Sequence, residues 1–354
     1  MPGPRSCRLA VAACVLLSTA ARAAPAPGSD EEVTIETSTP GIRLAGTLSL
    51  PAGKGPFAVA LLVHGDGPHT RDQLVSKTPM FRLIGEELVR RGIAVLRYDK
   101  RGQGRSTGPK SDEDSTTDEL AGDALDCVHY LRGRPEIDRR KIGLVGHSEG
   151  AIIAPMVAQR DHALAFVVLL APTAVPDRVL WISQKTENLA RLGATPEVVK
   201  AVGHELGRLA DFIVAGKNDD ETYYRLGHDF LAAHGVPEKQ NTHAFIDQLI
   251  SDFRHRWYRF FLAYDPTPAL KQLTAPSLSI FGEKDDQVTV KQNLPPLAAA
   301  LAAAPDVTLA VLPDQDHFFF VFHGRRLDKH RAGEMEIAPA LLATMGDWIV
   351  RHVR

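Results

Sequence analysis

Four short apolar runs set the tightest limit on the fold. Phe57 to Val63, Ile93 to Tyr98, Ile142 to Gly146 and Phe166 to Ala171 lack polar alternation, the pattern of strands buried on both faces of a parallel sheet. Between them lie stretches of helical period: Pro79 to Arg91, Thr117 to Arg132 and Ser148 to Gln159. In the second of these, Leu120, Ala124, Leu125, Val128 and Leu131 share one face. Its acids Asp118, Glu119, Asp123 and Asp126 lie toward the start, where the helix dipole is positive. Strand and helix in alternation predict an open α/β sheet, mostly parallel and doubly wound. Ahead of it, Val33 to Thr37 and Ile42 to Leu50 do alternate, with Pro40-Gly41 between them, which predicts a half-buried antiparallel ribbon.

From about Thr173 to Pro268 the alternation stops, and the chain turns helical and polar, with candidate helices at Ala201 to Ala215, Glu221 to Ala233 and Thr242 to Tyr264. Strands resume at Ser277 to Phe281 and Val307 to Leu312, and an amphipathic helix covers Ile337 to Val350. The expected plan is a core in two parts, 33–172 and 269–354, interrupted by a helical cap over 173–268. A chain of 354 residues has room for it, and 44% hydrophobic with 24% charged residues excludes a disordered or fibrous protein.

Residues 1–23 read as an address. Arg5 and Arg8 precede the apolar run from Leu9 to Leu17, and Ala21-Arg22-Ala23 gives a small-x-small cleavage pattern. Val11-Ala12-Ala13-Cys14 superficially fits a lipoprotein box, but the apolar run continues past Cys14, so a secretory signal is the expectation. It places the mature chain in the periplasm or outside the cell. The run is too short to span a bilayer, and no later stretch reaches the length a spanning helix needs, so no membrane span is expected. Cleavage would leave 38 of the 41 basic residues against 43 acidic ones, a mildly acidic chain with no footprint for nucleic acid. Residues 24–32 (APAPGSDEE) read as a flexible lead-in. Cys127, the one cysteine beyond the address, sits at an apolar helical position and reads as a small buried hydrophobe.

The chemistry is expected at loop ends. Gly146-His147-Ser148-Glu149-Gly150 follows the strand IGLVG and opens the helix AIIAPMVAQ, the setting in which a GxSxG turn lifts a serine oxygen into the open. A serine needs a base, and the base a carboxylate to orient it. In doubly wound hydrolases these follow later in the chain, acid before histidine, each after a strand. SLSIF leads into Gly282-Glu283-Lys284-Asp285-Asp286, and VTLAVL leads into Pro313-Asp314-Gln315-Asp316-His317. Ser148, Asp285 and His317 are therefore the candidate catalytic residues, with Asp286 an alternative acid and Asp316 a loop carboxylate beside the base. Donors for the tetrahedral oxyanion are expected from the Glu149 N–H and from His64-Gly65-Asp66-Gly67, at Asp66 first and Gly65 second. His64 and His147 read as structural hydrogen-bonders. His162, His204, His228, His234 and His243 show no ligand spacing, so neither a metal nor an organic cofactor is expected.

Taken in order and spacing, HGDGPHTRDQ, RYDKRGQGRSTG, GHSEG, RFFLAYDPTPALKQL, FGEKDDQV and LPDQDHFF resemble bacterial carboxylesterases of the α/β-hydrolase superfamily, relatives of the prolyl-oligopeptidase-like serine hydrolases. The resemblance spans roughly residues 33–350. It implies the triad Ser148, Asp285, His317 with oxyanion donors at Asp66 and Glu149, and a DKRGxG loop at Asp99 to Gly104 that buttresses the site. Asp66 departs from the pattern by putting a carboxylate beside the oxyanion position, so its side chain is expected to point away. Phe253, Trp257, Phe260, Phe261 and Tyr264 form a stripe expected to pack the cap on the core, with an acyl-binding wall the lesser reading, while Phe318, Phe319, Phe320 and Phe322 fit an acyl pocket or a buried helix start equally well. The expected function is hydrolysis of small to medium acyl esters through an acyl-enzyme. An amide hydrolase on the same triad is the alternative, and a catalytically silent binding protein a more distant one. The sequence leaves the oligomeric state open.

Overall fold

The fold is that of a computed structural model, which describes residues 28–109, 115–216, 219–321 and 335–354. The address at 1–23 and Phe322 lie outside the described residues. Eight strands form one sheet: β1 (Ser29–Glu36), β2 (Arg43–Leu50), β3 (Phe57–Val63), β4 (Ala94–Tyr98), β5 (Ile137–His147), β6 (Phe166–Leu170), β7 (Ser277–Gly282) and β8 (Val307–Leu312). Their order across the sheet is β1-β2-β4-β3-β5-β6-β7-β8. β1 and β2 pair antiparallel, β2 meets β4 antiparallel, and every pairing from β4 to β8 is parallel. The runs without alternation are thus the parallel strands, buried on both faces.

Helices cover both faces because each carries an apolar stripe. α1 (Met80–Arg90) and α11 (Pro339–Val353) close one side with Phe81, Leu88, Met345 and Trp348. α2 (Thr117–Arg132) and α3 (Glu149–Arg160) close the other with Leu120, Val128, Ile153 and Val157. α2 starts at a capping box in which Thr116 Oγ1 accepts from the Glu119 N–H and Glu119 Oε2 accepts from the Thr116 N–H. Cys127 is fully buried among these side chains.

Between β6 and β7 the chain forms α4 (Asp177–Arg191), α5 (Pro196–Ala215), α6 (Asp220–Ala233), α7 (His243–Ile250), α8 (Arg256–Ala263) and α9 (Thr267–Lys271). This insert has its own small core around Leu209, Tyr223, Leu226, Ile246 and Ile250, and meets the main core through Leu180, Trp181, Val202 and Phe261.

Several boundaries differ from the sequence reading, and the insert opens with a helix that the reading does not contain, α4, followed by α5 beginning at Pro196 instead of Ala201. β1 begins at Ser29, so residues 29–32 of the expected lead-in are strand, held by charge rather than apolar pattern: Arg134 pairs with Glu31 and Arg71 with Glu32. β5 starts at Ile137, and the polar Asp138 to Lys141 mark a shift of register against β3 between Phe57 and Val59. The single helix expected over Thr242 to Tyr264 is broken by a 3₁₀ turn at Ser251–Arg254 and an extended His255. α10 (Val290–Ala300) escaped notice because Pro295 and Pro296 interrupt its period.

Candidate active site

The five candidate residues lie beyond the carboxyl ends of parallel strands, four on loops and Glu149 at the first position of α3, where ligands bind in open α/β sheets. Ser148 follows β5 directly and precedes α3, with φ +55° and ψ −116°, a backbone that non-glycine residues seldom adopt. The turn is so tight that a Cβ on Gly146 would lie 2.0 Å from the Gly150 carbonyl oxygen, and one on Gly150 2.1 Å from that of Val63. The glycines of the elbow are steric necessities.

Asp285 lies three residues beyond β7 and His317 five beyond β8. His317 Nδ1 donates to Asp285 Oδ2 at 2.8 Å, and Nε2 lies 3.1 Å from Ser148 Oγ. Asp285 Oδ1 accepts the backbone N–H groups of Gln287 and Val288, both at 2.8 Å, which fixes the carboxylate. A proton on Nδ1 leaves Nε2 to accept the serine proton, the tautomer a general base needs. Burial opposes charge on His317, but Asp285, joined by the charges of Asp316 and Asp286, more than offsets it, so the imidazole pKa stands above its ordinary 6.5.

The neighbouring acids divide as the sequence suggested. Asp286 pairs with Arg191 of α4 instead of reaching the imidazole. Asp316 Oδ1 accepts the N–H groups of Phe318 and Phe320 at 3.0 Å and shapes the histidine loop.

A cavity of about 250 Å³ opens on Ser148, lined by Asp66, Glu149, Trp181, Lys185, Trp257 and Tyr258 among others. Glu149 is the first residue of α3, so its N–H has no partner within the helix. Asp66 lines the same cavity after β3. The second choice for the other oxyanion donor is corrected: the Gly65 N–H already donates to Gln73 Oε1 at 2.9 Å. The Asp66 charge acts on residues of the insert that line the cavity: burial lowers the Lys185 pKa against its pull, and burial with Asp66 raises that of Tyr258 to about 12.

His147 bonds to Gln73 and to the His317 carbonyl, as a structural hydrogen-bonder should. His64 does not: neither ring nitrogen makes a well-formed hydrogen bond, and the ring packs among Phe81, Tyr98 and His69 instead. Of the aromatic stripe, Trp257 and Phe261 stack on each other at 4.6 Å, pack into the main core and also line the cavity, so both expected roles fall on the same two rings. Phe319 and Phe320 are buried in the core beside α11, and Phe318 lies against His147 and His317; none of the three lines this cavity.

The expected buttress at Asp99 to Gly104 is realised through Lys100, around a carboxylate to which the sequence reading gives no role, that of Glu149. The Glu149 carboxylate is 2% exposed and accepts from Lys100 Nζ at 3.1 Å, Thr117 Oγ1 at 2.8 Å and Trp257 Nε1 at 2.7 Å. Lys100 Nζ also donates to the carbonyl oxygens of Gly65 at 2.7 Å and Gly67 at 3.2 Å. The residue after the serine therefore ties the oxyanion loop, α2 and the insert together. A signal was present: a carboxylate in the apolar helix start EGAIIAPMV must find a buried partner.

This strand order, with a strained serine elbow between β5 and α3, is the plan of the α/β hydrolases. The model of the alpha/beta hydrolase family matches residues 60–328, more than half of the chain, and the chain belongs to that family. It is 28% identical over 308 residues to esterase EstD of Thermotoga maritima, covering 87% of this chain and 66% of EstD, a little under two thirds of that relative's length. Among solved structures, the Pyrococcus furiosus esterase Pf2001 superposes with a TM-score of 0.58 at 16% identity, covering 92% of each chain. The α/β hydrolase GrgF from Penicillium sp. sh18 does so with a TM-score of 0.55 at 19% identity, covering 93% of this chain and 99% of its own. The family model carries the membership and the two solved structures share the fold; none of them extends the relation to the prolyl-oligopeptidase-like branch.

Proposed function

We propose that this chain is a serine carboxylesterase acting on small to medium acyl esters. The observation that carries the reading is the single imidazole of His317 set between Ser148 Oγ and Asp285. Ser148 Oγ attacks the ester carbonyl as His317 Nε2 takes its proton, and Asp285 holds the imidazolium that forms. The oxyanion is met by the N–H groups of Glu149 and Asp66. Collapse releases the alcohol, which takes the proton back from His317, and leaves an acyl group on Ser148. Water, deprotonated by the same imidazole, then frees the acid. The esterase names of EstD and Pf2001 support this chemistry, and the size of the cavity supports a short acyl chain. On the pattern of residues 1–23, the mature enzyme works outside the cytoplasm.

A series of p-nitrophenyl esters from acetate to palmitate, set beside the matching anilides, tests the reading. Turnover is expected to peak at short to medium acyl chains and to fall steeply at the long end, with anilides cleaved far more slowly. Preferred cleavage of anilides would make the chain an amidase, and a peak at palmitate would refute the size limit.

The reading also fixes the pH response. The base must be neutral, and Asp285 stabilises its charged form, so the acid limb of kcat/KM should have its midpoint above 6.5, with activity lost as pH falls through it. A pH profile on one short ester checks this. A midpoint at or below the ordinary imidazole value would contradict the assignment of His317 as the base.

A further inference from the structure

Gln73 ends the motif HGDGPHTRDQ and takes no part in the chemistry above. It is 1% exposed and holds φ +43°, a left-handed backbone that costs a residue with a side chain. Its amide is fully engaged. Oε1 accepts the Gly65 N–H at 2.9 Å; Nε2 donates to His147 Nδ1 at 2.8 Å and lies 3.6 Å from Met80 Sδ. The backbone N–H of Gly65 can only donate, so the amide cannot be flipped. With Nδ1 accepting, the proton of His147 sits on Nε2, which donates to the His317 carbonyl oxygen at 2.9 Å. Burial and the neighbouring His317 push the His147 pKa down to about 3, in keeping with a neutral ring.

We infer that Gln73 is a positioning residue that sets the oxyanion loop, the nucleophile elbow and the base loop in one register. Through the Gly65 N–H it fixes the His64–Gly65 peptide, one before the peptide that carries the Asp66 N–H; through His147 it grips the residue before Ser148; through the carbonyl of His317 it anchors the loop that carries the base. Three loops after three different strands are linked by one side-chain amide and one imidazole. A buried asparagine would be too short to span Gly65 and His147, and a glycine, though it would relieve the backbone, would leave both unpaired. The strain at Gln73 persists because the side chain is needed where it is.

The inference rests on the Ser148 reading, and its test separates the two. In the full chain, Gln73→Leu removes both hydrogen bonds, while the isosteric Gln73→Glu keeps the acceptor for Gly65 and replaces the donor toward His147 with an oxygen. On p-nitrophenyl butyrate, Gln73→Leu is expected to lower kcat about tenfold or more with KM within about twofold, the mark of a transition-state defect. In Gln73→Glu, His147 is expected to bind a proton at Nδ1 to face the new oxygen, so its imidazole nitrogens, silent in the parent, should titrate by NMR within about pH 5 to 8. Should Gln73→Leu fail to fold, Gln73→Glu carries the test alone. An active parent whose variants keep kcat within about twofold overturns the inference, as does an imidazole of His147 indifferent to both substitutions. A parent that cleaves no ester defeats the Ser148 reading instead, and the NMR signals of His147 and His317, recorded without substrate, still decide on Gln73.

Discussion

Ser148→Ala is expected to lower kcat/KM on a short p-nitrophenyl ester by about 10⁴- to 10⁶-fold while leaving the fold intact. The size follows from mechanism: without Oγ no acyl-enzyme can form, and the oxyanion donors and cavity retain only the residual acceleration over water that binding and electrostatics supply. The fold should tolerate the change because the backbone conformation is already occupied by a non-glycine residue and the alanine removes one partly exposed hydroxyl. Tm is therefore expected to stay within about 2 °C. Steady-state kinetics with a thermal melt checks both halves. Retained activity would show that another group does the chemistry, and a large fall in Tm would make the kinetic result a folding effect.

Lys100→Met is expected to have the largest effect on stability. Lys100 and Glu149 are 3% and 2% exposed, so neither charge has bulk water to fall back on. Removing the ammonium leaves the Glu149 carboxylate with only Thr117 and Trp257, and breaking one side of such a buried pair costs about 3–5 kcal/mol. In a chain of this size that corresponds to a fall in Tm on the order of 10 °C. The Gly65 carbonyl loses the Lys100 donor at the same time and that of Gly67 keeps only the His69 N–H, so kcat should fall further than the folded fraction does. The double variant Lys100→Met, Glu149→Gln takes away the uncompensated charge and is expected to be more stable than Lys100→Met alone. A double variant less stable than the single one would show that the pair is not the origin of the loss.

Much of this architecture was legible in the sequence because it is written in local pattern. Unbroken apolar runs marked the parallel strands, and the glycines of GHSEG marked a turn with no room for side chains. Asp285 and His317 are candidates by their place after strands, and the fold brings their side chains within 2.8 Å of each other. What escaped was set by distance or by compensation. β1 reaches back to Ser29 because arginines far along the chain neutralise Glu31 and Glu32, which no window around those acids reveals. α10 forms through Pro295 and Pro296 against the propensity rule because tertiary packing of Leu297 and Ala300 outweighs it. The partners of Glu149 come from residues 100, 117 and 257, three separate elements whose meeting is a property of the topology alone. Gly65 fits the sequence pattern of an oxyanion donor, but its N–H is spent on Gln73, eight residues along the chain.

The central claim is that Ser148 is an activated nucleophile, and intact-protein mass spectrometry after exposure to a fluorophosphonate tests it most directly, with Ser148→Ala treated alongside. One covalent adduct on the parent and none on the variant is the predicted result, since only a serine whose proton can pass to His317 attacks the phosphorus. An unlabelled parent, or equal labelling of both proteins, would contradict the account.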